Sequence, residues 1–145
     1  MRAAYEWLMA RDGGRTRAVG AIGYCMGGRA SFLANATLPL KAAVSYYGGG
    51  IAPSGRPGQS HLLGHAADLH APMLLFWGGQ DTHILPEHRR SVSQALDAAG
   101  RDYVTTTFSA AGHGFFCDVR PAYEPHAARQ SLALTLSFLE TYLPR

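Results

Sequence analysis

Hydrophobic positions alternate along the chain between short continuous runs and longer stretches with helical spacing. Residues 2–11 set Ala3, Ala4, Trp7, Leu8 and Ala10 among Arg2, Glu6 and Arg11, which predicts a short amphipathic helix closed by Gly13-Gly14. The run from Ala18 to Ile22 predicts a strand, and residues 26–36, with Phe32, Leu33 and Ala36 on one face, predict a helix. Lys41 to Tyr47 is strand-like and ends at Gly48-Gly49-Gly50. From Ile51 to Leu69 the composition turns to Pro, Gly, Ser and His, which predicts a long loop or cap. A third strand is expected over 73–77. A helix then opens at Pro86 and closes at Gly100, with Val92, Ala95, Leu96 and Ala99 as its apolar stripe. Strand 103–108 follows, and a last helix from about Pro125 aligns Leu132, Leu136, Leu139 and Leu143.

Repeated strand-then-helix order implies an α/β fold built on a mainly parallel sheet of about four strands with right-handed crossovers. No linker or internal repeat divides the chain, so residues 1–145 are read as one domain. Ala18 to Ile22 has the continuous apolar character of a strand buried on both faces. An open edge on such a strand would invite pairing with another chain, so self-association through that edge, or low solubility, is expected.

Composition narrows the function classes. At 145 residues, 47% hydrophobic and 16% charged, the chain suits one globular core. The net charge of +3 comes from scattered arginines without a basic stripe, which argues against a nucleic-acid partner. No window has the apolar length of a membrane span and the first residues lack a signal-like apolar core, so a cytoplasmic protein with no membrane partner is expected. Two cysteines, at 25 and 117, suit a reducing compartment.

Candidate chemistry centres on Gly23-Tyr24-Cys25-Met26-Gly27-Gly28, between a strand and a helix. This is the pattern of a nucleophile elbow, in which small residues two positions to either side let strand and helix approach while the nucleophile stands clear. The N-terminus of the following helix favours the thiolate form of Cys25. Gly78-Gly79-Gln80-Asp81 follows the third strand, and Ala111-Gly112-His113-Gly114-Phe115 follows the fourth. The order nucleophile, acid, histidine, with the last two beyond the carboxyl ends of strands, is that of the α/β-hydrolase triad.

The chain resembles the dienelactone hydrolase family of α/β-hydrolases, whose triad is Cys-Asp-His. The likeness rests on Gly23-x-Cys25-x-Gly27-Gly28, on Tyr46-Tyr47-Gly48, on Pro72 leading to Gly78-x-x-Asp81, and on His113-Gly114-Phe115, and it runs from about Thr16 to Leu143. It implies hydrolysis of a carboxylic ester or lactone, with Cys25 as nucleophile, His113 as general base and Asp81 as the acid that orients it. The backbone N–H of Met26 would face the oxyanion, Tyr47 and Phe115 are candidates for the pocket wall, and no cofactor is required. Members of the family are longer at the N-terminus. The chain therefore reads as the C-terminal portion of such an enzyme, without the loop that supplies a second oxyanion donor, and weakened catalysis is expected, by about 3 kcal/mol. Cys117 stands where the founding enzymes carry an arginine for the substrate carboxylate, which disfavours dienelactone itself.

Other roles are open to the same residues. Cys25 suits a tight turn as a small hydrophobe, Asp81 a turn or a cap for the helix at Pro86, Tyr47 the core, and Cys117 a structural thiol. Phe115 and Phe116 suit either a pocket wall or a cover over the sheet end. A catalytically silent remnant that folds or self-associates is one alternative to the hydrolase, and a thioesterase or peptidase-like activity is another. His61, His65 and His70, with His83 and His88, have spacings seen in zinc sites. They sit in a loop without a rigid frame, so solvated histidines are the better account.

Overall fold

The computed structural model describes residues 1–11, 18–53 and 60–143. Its elements, in order, are α1 (Arg2–Ala10), β1 (Gly20–Tyr24), α2 (Met26–Thr37), β2 (Ala42–Tyr46), a 3-10 helix over Leu63–Asp68, β3 (Met73–Gly78), α3 (Pro86–Ala98), β4 (Tyr103–Phe108) and α4 (Pro125–Tyr142). The four strands pair in parallel in the order β1-β2-β3-β4, with Ile22 opposite Val44, Val44 opposite Leu74 and Leu74 opposite Val104. Every residue of β2 and β3 is buried, as expected of strands paired on both sides and covered on both faces.

Alternation along β2 sets the layers. Ser45 points to one face, against Gly28 of α2. Its neighbour Tyr46 points to the other, where its hydroxyl hydrogen-bonds Thr135 of α4 at 2.6 Å. The helix α2 is clasped to the start of β3 by the buried Asn35, whose amide donates to Ala71 O at 2.9 Å while its oxygen accepts from Ala71 N–H at 3.0 Å. The 3-10 helix packs against both α2 and α3, and Leu62, Ala66 and Leu69 are buried there. The stretch 51–69 expected as a loop thus carries an ordered, core-facing turn of helix; Gly13-Gly14 lies outside the described residues.

Three expectations change on the structure. First, α1 is not packed through Ala3, Ala4, Trp7, Leu8 and Ala10: Tyr5 is the residue that meets the core, and Trp7 is exposed with the Arg11 guanidinium 5.0 Å from its ring. Second, α4 buries Ala127, Ala128, Ser131, Thr135 and Phe138; of the expected stripe, Leu139 and Leu143 pack against the core, whereas Leu132 and Leu136 remain exposed. Small and hydroxylic residues let the helix lie close to the sheet and meet the Tyr46 hydroxyl, which a leucine at 135 would leave unpaired in a buried site. Third, the elbow strand is not buried on both faces: β1 forms the edge of the sheet among the described residues, in keeping with the open edge expected of it, but its Ile22 and Tyr24 are 47% and 43% exposed. An apolar groove of about 290 Å³ lies along that edge between α1, β1 and α2.

Candidate active site

The strand β1 ends at Tyr24, and α2 begins at Met26, so the chain must reverse at Cys25 alone. Cys25 adopts φ 54° and ψ −118°, in the positive-φ region that a residue with a side chain rarely enters. Its N–H extends the ladder to Tyr46 O at 3.0 Å, and its carbonyl accepts from Gly28 N–H at 2.9 Å. The turn succeeds because Gly23 and Gly28 lack side chains. A Cβ at Gly23 would fall 1.8 Å from Gly27 O, and one at Gly28 would lie 2.7 Å from Ser45 Oγ and 2.8 Å from Tyr46 O. A Cβ at Gly27 would meet nothing within 4 Å, so the close approach expected of the residues two either side of Cys25 is made by Gly23 and Gly28.

Two further loops converge on this turn. Gly79 N–H donates to Phe108 O at 2.8 Å and Gln80 N–H to Ala111 O at 2.9 Å, tying the segment that carries Asp81 to the one that carries His113. A side chain at Gly78 would collide with the backbone oxygens of Ala111 and Gly112, at 2.7 and 2.6 Å. One carboxylate oxygen of Asp81 accepts from His83 N–H (2.7 Å) and Ile84 N–H (3.0 Å), an Asx-type turn. The other meets His113 Nδ1 at 2.8 Å. Asp81 therefore fills the turn role and faces the histidine at once, and the residue preceding α3 as its cap is Leu85. On the far side of the ring, His113 Nε2 lies 3.2 Å from Cys25 Sγ.

The electrostatics follow from this line of contacts. The Asp81 side chain is only 1% exposed. Burial by itself would raise its carboxyl, but the hydrogen bonds from His113, His83 and Ile84 outweigh it and hold the group below the ordinary range. The hydrogen bond to Asp81 raises the His113 imidazole from 6.5 to about 9, against the opposing effect of burial and with further help from Cys25. His113 thus keeps its proton through neutral pH.

Around Cys25 opens a cleft of about 690 Å³, lined by Met26, Arg29, Gly49, Ser60, His83 and His113. Met26 lines this cleft, and its N–H, first in α2, has no intrahelical acceptor. Arg29 donates to Gly50 O and to Ser60 O and Oγ, and among the described residues no carboxylate pairs with it. Spacing offered the signal for Arg29, because four residues beyond Cys25 is the same helix face. His83 stacks edge-on to His113 with ring centroids 5.2 Å apart. Tyr47, at φ 39°, is almost wholly buried yet lines a smaller cavity beside Cys25. Its ring meets His113 edge-on at 5.2 Å, and burial raises its phenol, so it remains a hydrogen-bond donor. Phe115 is fully buried behind Tyr47, edge-on at 5.2 Å, and supports that wall from within. The remaining histidines are dispersed: His65 pairs with Asp68 and His88 accepts from Leu85 N–H. Among the described residues, the apolar groove along β1 is lined by no acid, imidazole or thiol, whereas the Cys25 cleft is lined by a thiol and two imidazoles.

Known proteins carry related chains. A protein named "Putative carboxymethylenebutenolidase" from Salmonella typhimurium is 36% identical over 133 residues, covering 91% of this chain and 49% of its own length. One of the same name from Yersinia pestis is 39% identical over 120 residues, covering 82% and 45%. The crystal structure of a "Putative Dienelactone Hydrolase" from Klebsiella pneumoniae superposes with a TM-score of 0.87 at 31% identity, covering 97% of this chain and 59% of that one. The chain spans about half the length of the curated relatives it matches. The model of the Dienelactone hydrolase family matches residues 1–143, and with the parallel sheet and the elbow already described, it follows that the chain belongs to the dienelactone hydrolase family.

Proposed function

We propose that the chain hydrolyses a small carboxylic ester or lactone through an acyl-thioester on Cys25. The observation that carries this reading is the unbroken line from Asp81 through His113 to Cys25, at 2.8 and 3.2 Å, in front of an open cleft. With its proton held on His113 Nε2, the sulfur of Cys25 attacks the substrate carbonyl carbon. The oxygen becomes an oxyanion facing Met26 N–H. As the tetrahedral centre collapses, His113 gives the proton to the departing alkoxide and the acyl-thioester remains. His113, now neutral, takes a proton from water, the hydroxide adds to the thioester, and the Cys25 sulfur leaves as the acid is released. Asp81 holds the imidazole with Nδ1–H toward itself and stabilises its charged form throughout.

Hydrolysis of a small activated ester at pH 7–8 tests this, comparing the parent chain with Cys25→Ala, His113→Gln and Asp81→Asn. Cys25→Ala and His113→Gln are expected to fall by roughly a thousandfold or more, and Asp81→Asn by up to about ten-thousandfold, through loss of the useful tautomer. Equal rates in the parent and Cys25→Ala would contradict the proposal and leave a folded chain without turnover.

A further inference from the structure

The mechanism leaves one nucleophilic group unused. Cys117 lies four residues beyond His113, on the turn that Gly114 (φ 83°) begins, and its N–H donates to Gly114 O at 3.0 Å. It is half-buried, and it shares with the exposed Cys25 a cavity of about 210 Å³ that is separate from the main cleft. Tyr47 and His113 form one part of that cavity's wall, and Arg120 adds a positive charge to it. The chain has no other cysteine. A thiol at a helix N-terminus, hydrogen-bonded to an imidazole and open to solvent, has the surroundings in which peroxides oxidise sulfur.

We propose that Cys25 and Cys117 form a paired oxidation site, in which a hydroperoxide oxidises Cys25 to the sulfenic acid and Cys117 resolves it to an intrachain disulfide. In the first step the Cys25 sulfur attacks a peroxide oxygen. The S–O bond forms, the O–O bond breaks, the sulfur gives up two electrons, and the displaced oxygen leaves as an alcohol, or as water from hydrogen peroxide. In the second, the Cys117 sulfur attacks the Cys25 sulfur, the S–S bond forms, and the S–O bond breaks. Hydroxide departs and takes up the Cys117 proton as water. Two thiols and one hydroperoxide thus become a disulfide, an alcohol and water. Resolution in this way would spare Cys25 the irreversible sulfinic and sulfonic states.

The test reads mass rather than turnover, so it stands apart from the hydrolase reading. The reduced chain is treated with a modest excess of hydrogen peroxide, alkylated, and measured intact and by peptide mapping without reductant. The parent is expected to lose the mass of two hydrogens, to resist alkylation at both cysteines, to link the Cys25 and Cys117 peptides within one chain, and to recover fully with dithiothreitol. Cys117→Ser and Cys117→Ala, checked for folding by circular dichroism, are expected instead to gain two or three oxygens on Cys25 that dithiothreitol does not remove. Oxygen addition on Cys25 of the parent at the rate seen in the variants, or a cross-link only between chains, would overturn the proposal.

Discussion

Substituting alanine at each of the three elbow glycines separates the packing requirement from the sequence motif. At Gly23 the new Cβ would start 1.8 Å from Gly27 O, so the first turn of α2 must retreat by more than an ångström before contact is tolerable. At Gly28 the overlap is smaller, with Ser45 Oγ, Tyr46 O and Gly48 Cα at 2.7, 2.8 and 2.9 Å, but two of these atoms are backbone and sit in β2 and its exit. Overpacking of this kind costs about 1–3 kcal/mol, and Gly23→Ala, opposed by backbone at the shorter distance, belongs at or above the top of that range. Gly27→Ala meets no atom and relieves a helix of a glycine, so it should stabilise by roughly 0.5 kcal/mol or leave stability unchanged. For a chain of this size each kcal/mol moves the melting temperature by about 3 °C. Thermal unfolding followed by circular dichroism should therefore rank Gly27→Ala at or above the parent, Gly28→Ala several degrees lower and Gly23→Ala lowest. Destabilisation of Gly27→Ala to the level of Gly23→Ala would refute the reasoning, because the motif rather than the measured spacing would then govern the turn.

Other outcomes follow from the same contacts. The folded His113 is raised from 6.5 to about 9, so its contribution to stability is full below pH 6.5, declines as pH rises, and is gone above about 9. The difference in melting temperature between the parent and His113→Gln should shrink across that interval, and a constant difference would contradict it. Asp81 is depressed, so its contribution is present above its ordinary value of 3.8 and is lost as pH falls through the lowered one, which acid unfolding of Asp81→Asn beside the parent would register. The buried Ser45 hydroxyl has no hydrogen-bond partner among the described residues, so Ser45→Ala should be neutral or stabilising in denaturant titration, and a loss of more than about 1 kcal/mol would show a missed partner. The half-exposed Ile22 and Tyr24 on the sheet edge should drive self-association, read by light scattering after gel filtration and reduced in Ile22→Lys, whereas a monodisperse parent monomer would count against it.

The parts of this molecule that were legible in the sequence are those where one physical demand acts alone. Met73-Leu74-Leu75-Phe76-Trp77 is apolar because β3 is buried on both faces, and Pro86 and Gly100 bracket α3 because their backbones suit a helix start and exit. Where two demands compete, pattern alone misleads. On α4 Leu132 and Leu136 belong to the more hydrophobic stripe, yet along that part of the helix Ser131 and Thr135 turn inward, where Thr135 meets the Tyr46 hydroxyl, and only Leu139 and Leu143 of the stripe reach the core. Gly27 and Gly28 are indistinguishable in the sequence, and only the position of β2 behind them shows which one is crowded. For Asp81, turn residue and histidine partner looked like rival readings, and a carboxylate has two oxygens, one for each. The spacing of four between Cys25 and Arg29 carries meaning only once the cleft that both line is seen.

Acylation of Cys25 is the step on which the proposed chemistry depends, and rapid-quench mass spectrometry reads it directly. The chain is mixed with a small activated ester, quenched in acid within the first turnovers, digested, and mapped. The acyl group is expected on the peptide containing Cys25, formed no more slowly than product appears and absent from Cys25→Ala. Product release by the parent without any acyl adduct, or an adduct that persists unchanged in Cys25→Ala, would contradict the assignment of Cys25 as nucleophile.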